Sequence, residues 1–283
     1  NREGTTKIIN DFFAHSHWEK EFGKARAKMI TAIAMFYDLE DPNTFVADVR
    51  KCLHKDGVFV IQMSYLPSML SQNAFDNVCH EHVLYYSLSS LEHLLSRLNL
   101  EIFDVELNDL NGGSFRTYIC HKDAREISNA VLQLRDSEVK LGLNKKDIYQ
   151  NFSQRIALIK NKLNGFIKEK VQEGKIVYLY GASTRGNTLL QYCELDNSLI
   201  KAAVERNSEK WGTKIASVGI PIISEDQGRK DKPDYMLILP WFFAQGMKSE
   251  FVQREEEYLD NGGIFILPLP MPKLLTKDGI IDI

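Results

Sequence analysis

The chain has 283 residues, of which 44% are hydrophobic, 26% charged and 10% aromatic, the make-up of packed globular domains and not of a disordered, collagenous or membrane chain. At roughly 100–200 residues per domain this length predicts two domains. Thirty-five Lys and Arg against 38 Asp and Glu leave a net charge of −3, so no overall positive field drives binding to nucleic acid or to an anionic membrane.

In chain order, Thr6 to Phe13 is β-branched and aromatic, and Met29 to Phe36 is a continuous apolar run. Both predict strands, the second buried on both faces of a parallel sheet. Phe45, Val46, Val49 and Leu53 then fall at helical spacing, followed by a turn at 54–57 and a strand from Val58 to Met63, the repeating unit of an α/β fold. Ser87 is placed to cap a helix running through Leu98. Glu101 to Leu107 and Ser114 to Cys120 alternate around Gly112-Gly113 and predict an antiparallel hairpin.

The charged stretch 123–174 carries Ile148, Phe152, Ile156, Ile159, Leu163 and Ile167 near helical period and predicts a helical connector. A second α/β unit opens with a strand from Ile176 to Tyr180, a loop from Gly181 to Asn187 and a helix from Thr188 to Cys193. Further strands are expected at Ile200–Glu205, Gly219–Ile223, Tyr235–Leu239 and Ile264–Leu267, giving a parallel sheet of four to five strands. The expected domains are thus 1–122, the connector 123–174, and 175–283.

Cys52, Cys79, Cys120 and Cys193 form no C-x-x-C pair, so neither a zinc knuckle nor a disulfide framework is encoded, and a reducing cytoplasm is the expected home. No apolar stretch approaches the ~20 residues of a membrane span, and Asn1-Arg2-Glu3-Gly4 does not open a signal peptide. Residue 1 is not Met, which predicts a chain that starts inside a longer protein.

Four places carry chemistry. Cys79-His80-Glu81-His82 lacks the helical spacing of a zinc motif and suits acid–base work better, an imidazole beside a carboxylate titrating near neutrality; polar residues satisfying a buried loop are the alternative. Asp11 with Phe12, at the expected end of the first strand, offers an acceptor for a purine amino group and a ring to cover its face, or simply a cap. The loop Gly181 to Asn187, with Arg185, follows a strand and opens a helix, where backbone N–H groups attract phosphate. It lacks both the Walker lysine and the G-x-G-x-x-G spacing, and a glycine needed only for the turn is its other reading. Trp241 and Phe242, after a strand of the second half, stack on a base or sugar or finish the core.

Phe36 to Pro42, Asp76 to Tyr86, Asn111 to Ser114, Tyr180 to Asn187, Pro233 to Trp241 and Pro268-Leu269-Pro270 resemble in order the S-adenosylmethionine-dependent C-methyltransferases of nucleotide-linked deoxysugars. The resemblance implies part of a class I methyltransferase (Rossmann-like) domain followed by a second Rossmann-like α/β domain, with a dTDP- or GDP-linked keto sugar between the lobes. It implies His82 as the base that forms an enolate, Glu81 beside it, and Tyr85 or Tyr65 as donors to the oxyanion. It places the cofactor's adenine against Asp11, Phe12 and the turn Met35-Phe36-Tyr37. The nucleotide diphosphate goes to Ser183, Thr184, Arg185 and Asn187, the nucleoside or sugar to Glu205 and Trp241, and Cys79 and Ser114 to the substrate. Cys79 stands where many relatives carry tyrosine. The family's zinc-binding N-terminal module and its E-x-G-S-x-x-G cofactor loop are absent from these residues, so zinc is expected only with that module. A chain without it needs an upstream segment or an oligomeric partner to cover its sheet edge. O- or N-methylation of a sugar or polyketide, and a non-catalytic nucleotide-sugar-binding remnant, are the alternatives.

Overall fold

A computed structural model describes residues 7–244, 246, 247 and 249–283; the expectations for Asn1 to Gly4, and the start of the first expected strand at Thr6, lie outside them. The chain divides into two compact units, one containing the residues up to Leu66 with Val83–Asn108 and Gly113–Leu143, the other Pro67–His82, Asp109–Gly112 and Asn144–Ile283. The α/β class expected from the sequence is the one observed.

In the first half the elements are α1 (His15–Phe22), β1 (Ala27–Ile33), α2 (Pro42–Cys52), β2 (Leu53–Ser64), α3 (Leu66–Ser71), α4 (Leu88–Ser96), β3 (Leu100–Asn108), β4 (Ser114–His121) and α5 (Asn129–Leu141). Four strands form a sheet in the order β1-β2-β4-β3, with β1 parallel to β2 and the other pairs antiparallel. Helix α2 starts where Asp41 accepts the Thr44 N–H at 3.1 Å and Pro42 takes the first helical position. Its Val46, Val49 and Cys52 are buried. Ser87 and Ser90 close a reciprocal cap on α4, which buries Leu88, Leu91, Leu94 and Leu95. These side chains meet Phe36, Phe59, Ile61, Phe115 and Ile119 in one core.

Two expectations for this unit are corrected. The segment from Lys7 to Phe13 is not a strand: it has no paired neighbour among the described residues and leads into α1. A strand exists only through its ladder, which apolar composition cannot supply. Strand β1 is not buried on both faces but is the edge of its sheet; Met29 is 65% and Ile33 49% exposed, and only Ala32 is buried.

The second half contains α6 (Lys146–Gln172), β5 (Val177–Tyr180), α7 (Thr184–Tyr192), β6 (Ala203–Glu205), β7 (Lys214–Ile215), β8 (Ile220–Ser224), α8 (Glu225–Asp231), β9 (Tyr235–Ile238), α9 (Glu250–Arg254), α10 (Glu256–Asp260), β10 (Ile264–Leu267), β11 (Lys273–Thr276) and β12 (Gly279–Asp282). Eight strands run in the order β12-β11-β10-β9-β5-β6-β8-β7. The five from β10 to β8 are parallel, and the short β7, β11 and β12 add antiparallel margins. Of the charged helical stretch, α5 lies in the first unit and α6 in the second, where α6 buries Ile159, Leu163 and Ile167.

The loop expected from Gly181 to Asn187 is shorter than its glycines suggest. Ser183 accepts the Gly186 N–H at 3.1 Å and α7 begins at Thr184, so Arg185, Gly186 and Asn187 lie in its first turn. Gly186 lets α7 approach β9, since a Cβ there would stand 2.5 Å from Leu239 Cδ1. All four cysteines are free and buried, and no described helix is long and apolar enough to cross a membrane.

Candidate functional site

His82 ends a segment, Pro67–His82, that belongs to the second unit. Its Nδ1 lies 2.9 Å from the Asn77 carbonyl oxygen, and its backbone N–H donates to the Cys79 carbonyl at 3.1 Å. A carbonyl only accepts, so this contact puts the ring proton on Nδ1 and makes Nε2 the basic atom of the neutral imidazole. Side chains of the second unit tie the segment down. Arg155 donates to Asn73 Oδ1 and to the Leu70 carbonyl, both at 2.7 Å, and Thr188 donates to the Val78 carbonyl at 3.2 Å. Phe75 packs on Tyr192, ring centroids 5.0 Å apart. His80 and Glu81 are exposed. Cys79 is buried and borders, with His80, Thr184 and Asn187, a cavity of about 690 Å³.

Asp76 occupies the centre of the segment and is 1% exposed. One of its oxygens, Oδ2, accepts both Arg185 Nη2 at 2.7 Å and the Trp241 indole N–H at 3.1 Å. Burial raises the Asp76 carboxyl, against the pull of Arg185 and Trp241. Arg185 also donates through Nη1 to the Asn111 carbonyl at 2.9 Å, and its guanidinium centre lies 5.2 Å from the Phe242 ring centroid. Gly112 has φ +83°, and a Cβ there would come within 3.0 Å of the Trp241 ring. This corrects two expectations. Arg185 is not turned to a diphosphate at the strand ends but is an internal ion-pair partner. Trp241 is fully buried and has no face for a nucleoside.

The strand ends do enclose a crevice, of about 770 Å³, within the second unit. Tyr180 to Ser183 at the end of β5, Glu205 and Arg206 at the end of β6, and Pro240, Phe242 and Phe243 after β9 form its walls, with Lys210 and Arg254. This is where an open parallel sheet offers a ligand site. Against the cost of burial, the backbone N–H groups of Asn207 and Ala182 and the charge of Lys210 hold the Glu205 carboxyl below its ordinary range. Arg206 is held by Glu225 at 3.0 Å, Lys210 by the Ala182 carbonyl at 2.9 Å, and Arg254 by buried Glu255 at 3.1 Å. Each cation keeps further N–H groups beyond those contacts. The sequence reading missed Arg206, Lys210 and Arg254; Arg206 was within its reach, as the residue directly after a predicted strand end.

In the first unit, Phe36 and Tyr37 are core residues, Phe36 lying 5.4 Å from the Tyr86 ring, and Met35 is half-buried. Their side chains are therefore not a cofactor face, with Met35 the partial exception. Phe12 is 92% exposed, and Asp11 is exposed with its Oδ1 accepting the Phe12 N–H at 2.7 Å. Tyr65 is buried and donates to Glu138 Oε1 at 2.8 Å, which corrects its assignment as an oxyanion donor. Burial and that carboxylate raise its phenol well above the usual range. Ser114 is buried at the start of β4, opposite Ser64 and Asn108, and Tyr85 is half-buried.

A family model described as a methyltransferase domain matches residues 1–105. C-methyltransferase NovU of Streptomyces niveus is 30% identical over 282 residues, 99% of this chain and 66% of that protein, so the chain spans just under two thirds of its relative's length. Two solved structures overlap loosely, each with a TM-score of 0.30 over 35% of this chain. One is a complex of the Haloferax volcanii Trm112 methyltransferase activator with a methyltransferase, 12% identical over 56% of that chain. The other is a LepI complex with SAM, 10% identical over 27% of that chain. Overlaps this loose carry no argument about this chain. A second family model, described as a C-methyltransferase C-terminal domain, matches residues 109–270, more than half the sequence, and the chain belongs to that C-methyltransferase family.

Proposed function

We propose that this chain carries out the S-adenosylmethionine-dependent C-methylation of a nucleotide-linked keto-deoxysugar, with His82 as the base. The observation that carries the reading is the contact between His82 Nδ1 and the Asn77 carbonyl, in a chain of the C-methyltransferase family. With the ring proton on Nδ1, Nε2 is the atom with a lone pair for a proton from carbon, and imidazole as a class titrates near neutral pH, where a carbon acid beside a ketone needs its base. Glu81 and Tyr85 receive supporting roles from their places beside His82 in the sequence alone, and Tyr65 is withdrawn because its proton already serves Glu138.

The residues that would hold an adenosyl group fit in part. The Asp11 carboxylate and the exposed Phe12 ring suit a purine's amino edge and face, whereas the buried Phe36 and Tyr37 side chains do not. When bound, the cofactor supplies a methyl group activated on sulfonium. The second unit's crevice is the place for the nucleotide: Lys210, Arg206 and Arg254 for phosphate, Glu205 for hydroxyls, and Phe242 and Phe243 for a ring.

The test uses the full-length protein, a dTDP- or GDP-linked keto-deoxysugar and deuterium oxide. Deuterium entering the carbon beside the ketone without cofactor, and a 14-dalton gain with it, are the expected results; His82→Gln should lower exchange at least about a hundredfold, the scale of general-base catalysis. Methylation without any exchange would move the chemistry to an oxygen or nitrogen. Neither product on any such sugar would leave only nucleotide-sugar binding.

A further inference from the structure

The residue that holds His82 in its tautomer is a backbone carbonyl, that of Asn77, and the chain is anchored on both sides of it. On one side Asp76 is gripped by Arg185 and Trp241 through the single oxygen Oδ2; on the other, the Val78 carbonyl accepts the Thr188 hydroxyl. Arg185 and Thr188 both stand on α7, one turn apart. Trp241 follows β9 and packs where Gly112 lacks a Cβ. We propose that Asp76, Arg185 and Trp241 form a positioning cluster that aims the Asn77 carbonyl at His82 Nδ1, so that an ion pair in the second unit sets which nitrogen of His82 is basic.

The physical case rests on what an ion pair in such a place does. A buried pair is weak evidence of stability, because an apolar trio of similar volume often packs as well. It does fix orientation: a guanidinium and an indole N–H converging on one oxygen define the direction of the Asp76 side chain more narrowly than apolar contacts do. The carbonyl that orients His82 belongs to the residue next to Asp76, so a grip on the Asp76 side chain fixes the backbone from which that carbonyl projects, and the Thr188 contact to the Val78 carbonyl fixes it from the other side. Arg185 touches no substrate in this scheme. It is a positioning residue, and the phosphate duty falls to the cations of the crevice.

The proposal rests on the reading of His82 as the base, and the test separates the two. Full-length wild type is compared with Asp76→Asn, Trp241→Phe, Arg185→Lys and His82→Gln. Three readouts are taken: ring ¹⁵N shifts of His82, assigned by the signal lost in His82→Gln; the pH profile of deuterium exchange into a keto-sugar nucleotide; and the calorimetric Kd for the nucleoside diphosphate. Trp241→Phe keeps an aromatic ring at the position but removes the indole N–H along with part of the indole, and it leaves the Asp76–Arg185 pair in place, so it serves if Asp76→Asn fails to fold. Expected in both is a shift of the His82 signal from one tautomer to a mixture, exchange about tenfold slower at saturating sugar, and Kd within twofold of wild type. An unmoved ring signal and pH profile in folded variants would overturn the proposal. So would an Arg185→Lys protein whose Kd rises tenfold while its saturated rate is intact, since Arg185 would then be a phosphate ligand. Full exchange in His82→Gln would sink the base reading, while the ring signal in the other variants would still decide the positioning.

Discussion

Glu138 on α5 is buried, and its carboxylate accepts three hydrogen bonds, from the Tyr65 hydroxyl at 2.8 Å, the Leu88 N–H and the Ser89 N–H at 2.9 Å. Leu88 and Ser89 are the first two residues of α4, whose N–H groups have no partner within the helix. The Ser87 hydroxyl takes the Ser90 N–H, so Glu138, on the N–H groups of Leu88 and Ser89, completes the cap and places a negative charge at the positive end of the helix. Glu138→Ala leaves these donors facing a cavity. Hydrogen bonds to a charged group contribute about 1.5–3 kcal/mol each, and breaking a buried charged network costs about 3–5 kcal/mol once water and relaxation repay part. Glu138→Gln keeps one acceptor oxygen but turns an amide N–H toward a donor, and should cost about half as much. Tyr65→Phe, which removes a single partner, should cost about 1–2 kcal/mol. Urea unfolding of the three variants gives the order Ala, Gln, Phe in declining loss. A Glu138→Ala protein within 1 kcal/mol of wild type would refute the argument that the carboxylate is the helix's second cap.

Two further outcomes follow from titratable groups. Burial pushes the Cys52 and Cys120 thiols up to about 11 and that of Cys193 up to about 12; a thiolate-selective reagent at pH 8 should leave these three unmodified in the folded chain and label them in guanidinium, and labelling of all four before unfolding would contradict it. The Asp234 carboxyl lies below its ordinary 3.8, because the Ile176 N–H at 2.8 Å outweighs burial and Lys175 adds its charge; its contribution is therefore present above the unfolded value near 4 and lost as pH falls through the lower folded one, so Asp234→Asn should flatten the stability curve below pH 4 and change little in its shape above pH 6.

How far the fold could be read from residues depended on what each signal needs in order to be true. Helix signals need only their own turns: the spacing of Phe45, Val46 and Val49 located α2, and Ser87 gave the start of α4. Buried parallel strands need apolar content, and β2, β5 and β9 declared themselves in that way. Edges need a neighbour, which composition does not encode. Lys7 to Phe13 has the residues of a strand and no ladder, β1 has the residues of a central strand and the exposure of an edge, and the short β7, β11 and β12 carried too little pattern to be found.

The candidate site shows the same dependence one level down. Reading Ser183 to Asn187 as a loop placed Arg185 on a flexible turn facing the strand ends, the natural place for a phosphate ligand. With Ser183 as the cap, Arg185 becomes the second residue of α7, and a helix turns each successive side chain by about 100°. That rotation carries the guanidinium from the crevice to Asp76. The cap was visible in the sequence, since Ser183 followed by Thr184-Arg185-Gly186 is a helix start, but the glycines on either side argued for a longer loop. Trp241 and Asp76 lie 165 positions apart, and nothing short of the fold brings an indole N–H to that carboxylate. The cations that line the crevice are instead Arg206, Lys210 and Arg254, each beside a carboxylate or carbonyl that holds it. A cation already held in place loses less freedom on meeting a phosphate than one on an open turn, which is the reason the proposed phosphate role passes from Arg185 to these three.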